Sequence, residues 1–192
     1  VGMLSVMGIG PFTPGLFALA SSPGPTVQSV PHRYDTEYPV MDYSRDRLTD
    51  PVARLQDQLE RNEITLTYSG PEQSYLPSLL RELGIDPTSQ LLVFSRTSAQ
   101  IEFIRPETPR AIYYTDDVYV ASPPGGQDFE IAAMDPDVGP VFYTLAKQQS
   151  ADVRLERKMD ECLSCHDSYS LTGGGVPRFI VGSGFTDDEG EQ

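Results

Sequence analysis

Cysteine and histidine each occur only twice in this 192-residue chain, and basic residues are scarce, 14 against 28 acidic ones. Each shortage excludes something. A zinc site takes four ligands, usually Cys and His, and here there is no second cysteine pair, and the sole histidine besides His166 is His32. A formal charge of −14 with no strongly basic stretch excludes nucleic acid as a partner, because phosphate binding needs clustered cations. No internal repeat is visible. The first two dozen residues, VGMLSVMGIGPFTPGLFALASSPG, carry no charge at all, but Gly8, Gly10, Pro11, Pro14 and Gly15 break the run, so a regular membrane helix is disfavoured there.

The scarce residues fall together. ECLSCHDSYS, residues 161–170, holds both cysteines and His166. Four readings compete for Cys162-Leu-Ser-Cys165-His166: covalent haem attachment, a thioredoxin-like redox pair, half of a zinc site, and two unremarkable thiols in a helix. The zinc reading lacks ligands. A redox pair normally lies where a strand runs into a helix, and the preceding VRLERKMDE reads as helix, so the motif is expected inside or late in a helix. Haem attachment accounts for all three residues at once: two thiols add to the vinyl groups and the following histidine ligates iron. One motif means one haem c per chain.

With 39% hydrophobic and 22% charged residues the chain builds one ordinary core, with or without an arm. Residues 1–49 read as that arm. Residues 1–24 are an apolar interaction arm or irregular anchor, ranked above a signal peptide because Ala18-Leu19-Ala20 is cleavage-like but no basic n-region precedes it. Residues 21–49, rich in Pro and Tyr, form an extended connector that contains His32. The compact domain is expected over 50–192. Asp50-Pro51 is an N-cap followed by a first-turn proline, and Val52, Leu55 and Leu59 share a helical face to about Asn62. ITLTY, 64–68, reads as a strand. Leu76, Leu79, Leu80 and Leu83 mark a second helix stopped by Gly84.

Beyond residue 90 the pattern is β. QLLVFS (90–95) and AQIEFI (99–104) read as strands, and 110–122 and 129–147 as hairpins turning at Asp116-Asp117 and at Asp135-Pro136-Asp137. Tyr113, Tyr114, Tyr119 and Tyr143 are expected as sheet packing. Gly173, Gly174 and Gly175 either form a loop or let backbone pass close to a flat ligand. The fold class is therefore α+β: an antiparallel β meander with a few short helices and a CxxCH haem-bearing helix near the C-terminus.

DPVARLQDQLE, GPEQSYLPSLLRELGI, SQLLVFSRTSAQ, IRPETPRAIYYTDDVYVA, IAAMDPDVGPVFYTL, ECLSCHDS and GVPRFIVGSGFTDDEG together resemble an uncharacterised bacterial family of c-type cytochromes, over about residues 50 to 190. The resemblance implies an exported, extracytoplasmic protein with Cys162 and Cys165 as attachment sites and His166 as proximal ligand. It supplies no activity. It also implies chain beyond Gln192, where a sixth ligand would have room.

Two functions from different classes follow. The first is an electron-transfer cytochrome, a carrier rather than an enzyme, working with redox protein partners or neighbouring subunits in a larger assembly that the apolar arm joins to protein or membrane. The second is a haem enzyme or gas sensor with an open distal position, for which Arg178, Tyr113 or Asp167 would line the pocket. For a sixth ligand, Met159 is disfavoured because it lies seven residues upstream on the expected helix of His166, about 10 Å along it. His32 is the first choice, ligating its own haem or a neighbour's. Met134 and Met41 are the thioether alternatives.

Overall fold

The computed structural model describes residues 42–167, 177–179 and 187–190. His32, Met41, the apolar segment 1–24 and Gly173 to Gly175 lie outside these residues. Asp50 starts the first helix, α1 (Pro51–Glu60), as its sequence dictates. One carboxylate oxygen accepts from Val52 N at 2.8 Å and Ala53 N at 3.0 Å, two of the amides that a helix start leaves unpaired. Its other oxygen accepts from the Tyr143 hydroxyl at 2.6 Å, joining the cap to the sheet. Val52 and Leu55 are the buried face. The second helix, α2 (Leu76–Glu82), buries Leu79 and Leu80 and stops at Gly84, whose φ of +68° only glycine adopts without strain. Burying each leucine is worth about 1.5–3 kcal/mol.

Six strands follow in one antiparallel sheet whose spatial order is the chain order: β1 (Leu91–Val93), β2 (Arg110–Tyr114), β3 (Val118–Ser122), β4 (Asp128–Asp135), β5 (Gly139–Ala146) and β6 (Glu156–Lys158). The α+β meander with short helices is thus the architecture. Both expected hairpins form. In the β2–β3 turn Thr115, rather than the aspartates, accepts from the amides of Asp117 and Val118. In the β4–β5 turn Asp135 accepts from Asp137 N and Val138 N with one oxygen and from Thr49 N, at 2.7 Å, with the other.

Three local expectations are corrected. Residues 64–70 form no strand: Ser78 on α2 donates to Thr67 O and accepts from Thr67 N, so a hydroxyl takes the place of a ladder partner. Residues 99–104 are a single 3-10 turn, Ile101–Phe103, because the Gln100 amide bonds both backbone groups of Asp128 and acts as a one-residue strand at the start of β4. The charged run before the cysteines is β6 rather than helix. Val153 and Leu155 turn inward between exposed Arg154 and Glu156, a period of two, and the run pairs with β5 from Thr144 to Phe142.

The connector was expected to extend through Thr49, yet packing begins earlier. Tyr43 is fully buried, donates to Pro140 O at 2.7 Å and lies 5.1 Å beneath the Arg157 guanidinium. Arg157 also donates to the carbonyls of Tyr43 and Arg45. Among the described residues no helix is long and apolar enough to cross a membrane.

Side chains directly opposite in an antiparallel ladder share a face, so the register sorts the sheet into two surfaces. Tyr113, Val120, Ile131 and Tyr143 occupy one, with the α1 cap. Tyr114, Tyr119, Ala132, Phe142 and Lys158 occupy the other, together with Arg110, Glu130 and Met134 by alternation.

Candidate functional site

The third helix, α3 (Asp160–His166), begins two residues after β6 and has the sequence DECLSCH. Seven residues are too few to hold a helix alone, so tertiary contacts must. Leu163 is buried at its root. At its C-terminal end Arg178 N donates to His166 O at 3.0 Å, while the His166 ring, through Nδ1, bonds back to Arg178 O. The imidazole also lies 4.3 Å from the Phe142 ring, on the second sheet face.

That pair of bonds fixes the chemistry of His166. A carbonyl oxygen only accepts, so Nδ1 carries the proton. Burial holds the imidazole pKa below its ordinary value, against the opposing pull of the Arg178 carbonyl, and the nearby Arg110 cation adds to the lowering. The ring is therefore neutral at pH 7, with its lone pair on Nε2, and no described residue hydrogen-bonds Nε2. Metal-ligating histidines have this arrangement, the far ring nitrogen fixed by a carbonyl and the near one left for the metal.

Cys162 and Cys165 are unbridged, one half-buried and one exposed, a helical turn apart and on the side of α3 adjoining His166. Burial pushes the Cys162 thiol up to about 11, and Glu130 and Glu161 reinforce it against Lys158. Two observations thus pull in opposite directions on a redox pair. The motif lies inside a helix and ends it, as expected, but that helix is short and follows a strand directly. Yet the surroundings suppress the thiolate that a redox nucleophile needs. Among the described residues no group of three or more Cys, His, Asp and Glu side chains is arranged to hold a metal ion.

Met134 stands on the same face as Phe142, 37% exposed, at the hairpin end of β4. Paired with Pro140, it is a diagonal neighbour of Phe142 at about 7–8 Å. Met159 caps α3 and packs against the core. Tyr113 points into the opposite face and takes a hydrogen bond from Gln90, so it is removed from any distal pocket. Arg178 contributes its backbone to His166 while its side chain is exposed, and Asp167 is buried directly after His166.

Two features of this face carry no local signal in the sequence. One is an aromatic row: Tyr114 stacks on Tyr119 at 5.9 Å, and Tyr119 meets Phe179 at 5.0 Å. The other is a polar cluster in which Ser98 and Gln100 donate to Glu130 and Arg110 approaches it at 3.8 Å. Alternation could have placed Arg110 with Tyr114 on one face of β2, but nothing local places Phe179, Ser98 or Gln100 there or brings the face beside the motif. No family model matches the chain, and no curated protein or solved structure is detectably similar to it.

Proposed function

We propose that the chain is a monohaem c-type cytochrome of an extracytoplasmic electron-transfer assembly, with Cys162 and Cys165 as thioether attachment sites and His166 as the proximal iron ligand. The single observation that supports this most is the geometry of His166, whose Nδ1 bonds Arg178 O while Nε2 has no hydrogen-bond partner among the described residues. The donor set suits the group. A covalently held haem asks the protein for two thiols a turn apart and one oriented imidazole, and α3 carries these within five residues.

When bound, haem would supply reversible one-electron chemistry at iron. The chain's own residues do the rest. Arg178 O holds the imidazole orientation and raises its basicity, Phe142 backs the ring, and Leu163 anchors the helix that carries both attachment thiols and the imidazole. His32 or Met134 is the proposed sixth ligand, which makes the protein a carrier; the haem-enzyme or gas-sensor reading requires that position to be open. The absorption spectrum of the purified protein with and without carbon monoxide separates these readings. A low-spin spectrum slow to change with the gas supports the carrier, and a rapid shift supports the open site.

The position of the motif immediately after β6 favours one second reading, a dithiol–disulfide pair. It requires a reversible two-electron titration of Cys162 and Cys165 in protein free of haem.

A further inference from the structure

Arg110 offers five N–H donors in a rigid fork, and the protein uses the fork incompletely. One terminal nitrogen donates to Thr97 O at 3.3 Å and the other to Thr97 Oγ1 at 3.1 Å. Nε is buried with no hydrogen-bond partner among the described residues. The side chain is 13% exposed, so its charge is largely withdrawn from water. Glu130 is the obvious counter-charge but a poor one. Its Oε1 is taken by Ser98 at 2.5 Å and Gln100 at 3.1 Å, and its Oε2 stays 3.8 Å from Arg110, beyond hydrogen-bond distance. A half-buried cation with an orphaned donor is stabilised when a further acceptor completes it.

Its place in the fold says which acceptor. Arg110 and Glu130 stand on the sheet face that carries Phe142 and, over it, the His166 imidazole. Glu130 pairs directly with Thr144 and lies diagonal to Phe142, at about 7–8 Å. The other charged groups that face this region include Lys158 on β6, paired to Glu156 at 3.2 Å, and Asp128 on β4 and Glu161 on α3, which repel an anion. Arg157, whose Nε is likewise unpartnered, points to the opposite face and is engaged with the Tyr43 and Arg45 carbonyls. Among the described residues Arg110 is thus an incompletely paired guanidinium on the face that carries the motif.

We propose that Arg110 is the carboxylate anchor of this site, its guanidinium binding a propionate of the haem held at His166. The assignment rests on the haem reading above. A planar fork against a carboxylate is the geometry arginine serves best, and it would keep that propionate ionised beside the iron. Glu130, with Ser98 and Gln100, acts as a positioning residue that holds the guanidinium in place.

The test is the midpoint potential of purified holoprotein against pH, in wild type, R110K, R110Q and R110Q/E130Q, each first checked for covalent haem in the denatured state. Without the cation the propionate binds its proton more tightly, and more so when iron is reduced. R110Q should have a lower potential than wild type and a larger proton-coupled step near neutral pH, with R110K between them. The double variant removes Glu130 as a source of that step and guards against R110Q failing through an uncompensated Glu130; the step must persist in it. Covalent haem throughout with no change in potential or step, or a step that vanishes in the double variant, overturns the assignment of Arg110 and leaves the haem reading intact. Wild type without covalent haem overturns both.

Discussion

Asp50→Ala should destabilise the protein by about 2–4 kcal/mol, more than a helix cap alone explains. The carboxylate is fully buried and does two things at once, accepting from the Val52 and Ala53 amides and from the Tyr143 hydroxyl. Loss of an aspartate cap costs about 1 kcal/mol. Removing the acceptor also strands the Tyr143 hydroxyl in the core, which adds about 1–3 kcal/mol. Burial and the adjacent carboxylate raise the Tyr143 pKa, so the phenol stays protonated and remains an obligatory donor. Tyr143→Phe removes the donor and should cost about 1–1.5 kcal/mol. In the double variant no hydroxyl is stranded, so its cost should fall below the sum of the single ones by about 1–2 kcal/mol. Asp50→Asn keeps an acceptor at the cap and should cost less than Asp50→Ala. Urea unfolding of wild type and these four variants by circular dichroism measures the cycle and the Asp50→Asn comparison. Additive costs, or an Asp50→Ala variant within about 0.5 kcal/mol of wild type, would refute the claim that one carboxylate couples α1 to β5.

Further outcomes follow from other contacts. Gln100→Ala removes both bonds to the Asp128 backbone and should cost about 1–2 kcal/mol, with amide exchange at Asp128 accelerated most. Burial alone would raise the Asp135 pKa, but amides donated by Thr49, Asp137 and Val138 hold it below the ordinary value. The stabilisation is therefore complete above the unfolded carboxylate value of about 3.9 and is lost as pH falls through the lower folded value, so wild type should lose stability in acid more steeply than Asp135→Asn. In haem-free protein, exposed Cys165 should alkylate faster than half-buried Cys162, whose thiol burial pushes up to about 11; comparable rates at neutral pH would contradict its burial beside Glu130. His32→Ala and Met134→Ala each test a sixth ligand, and only the variant that loses it should turn a low-spin spectrum high-spin.

Local patterns announced much of the fold. Asp50-Pro51, the leucines around Leu79, and turn residues spaced between alternating apolar runs located α1, α2 and the two central hairpins, because caps, turns and strand alternation are decided within a few residues. The misread segments are those whose hydrogen bonds are satisfied from afar. Thr67 is held by Ser78, and Asp128 by Gln100, 28 positions earlier, where no periodicity could reveal a side chain standing in for a strand. β6 misled for another reason: three charged residues, Glu156, Arg157 and Lys158, form an edge strand because the inward positions around them are filled by Val153 and Leu155. Of the candidate site, spacing alone brought out Cys162, Cys165 and His166. It could not show that Arg178, twelve residues on, fixes the tautomer of His166, or that Phe142 and Arg110 come to the same face through sheet register.

The central claim is covalent attachment, and its most direct measurement is made on the full chain exported from a host with a c-type maturation system. The protein is denatured in acid and organic solvent, and its intact mass and absorption are recorded. The account predicts that one haem stays with the polypeptide, and that replacing Cys162 and Cys165 together by alanine abolishes it. A wild-type chain that releases its haem on denaturation, or carries none and instead gives a reversible dithiol–disulfide titration, would contradict it.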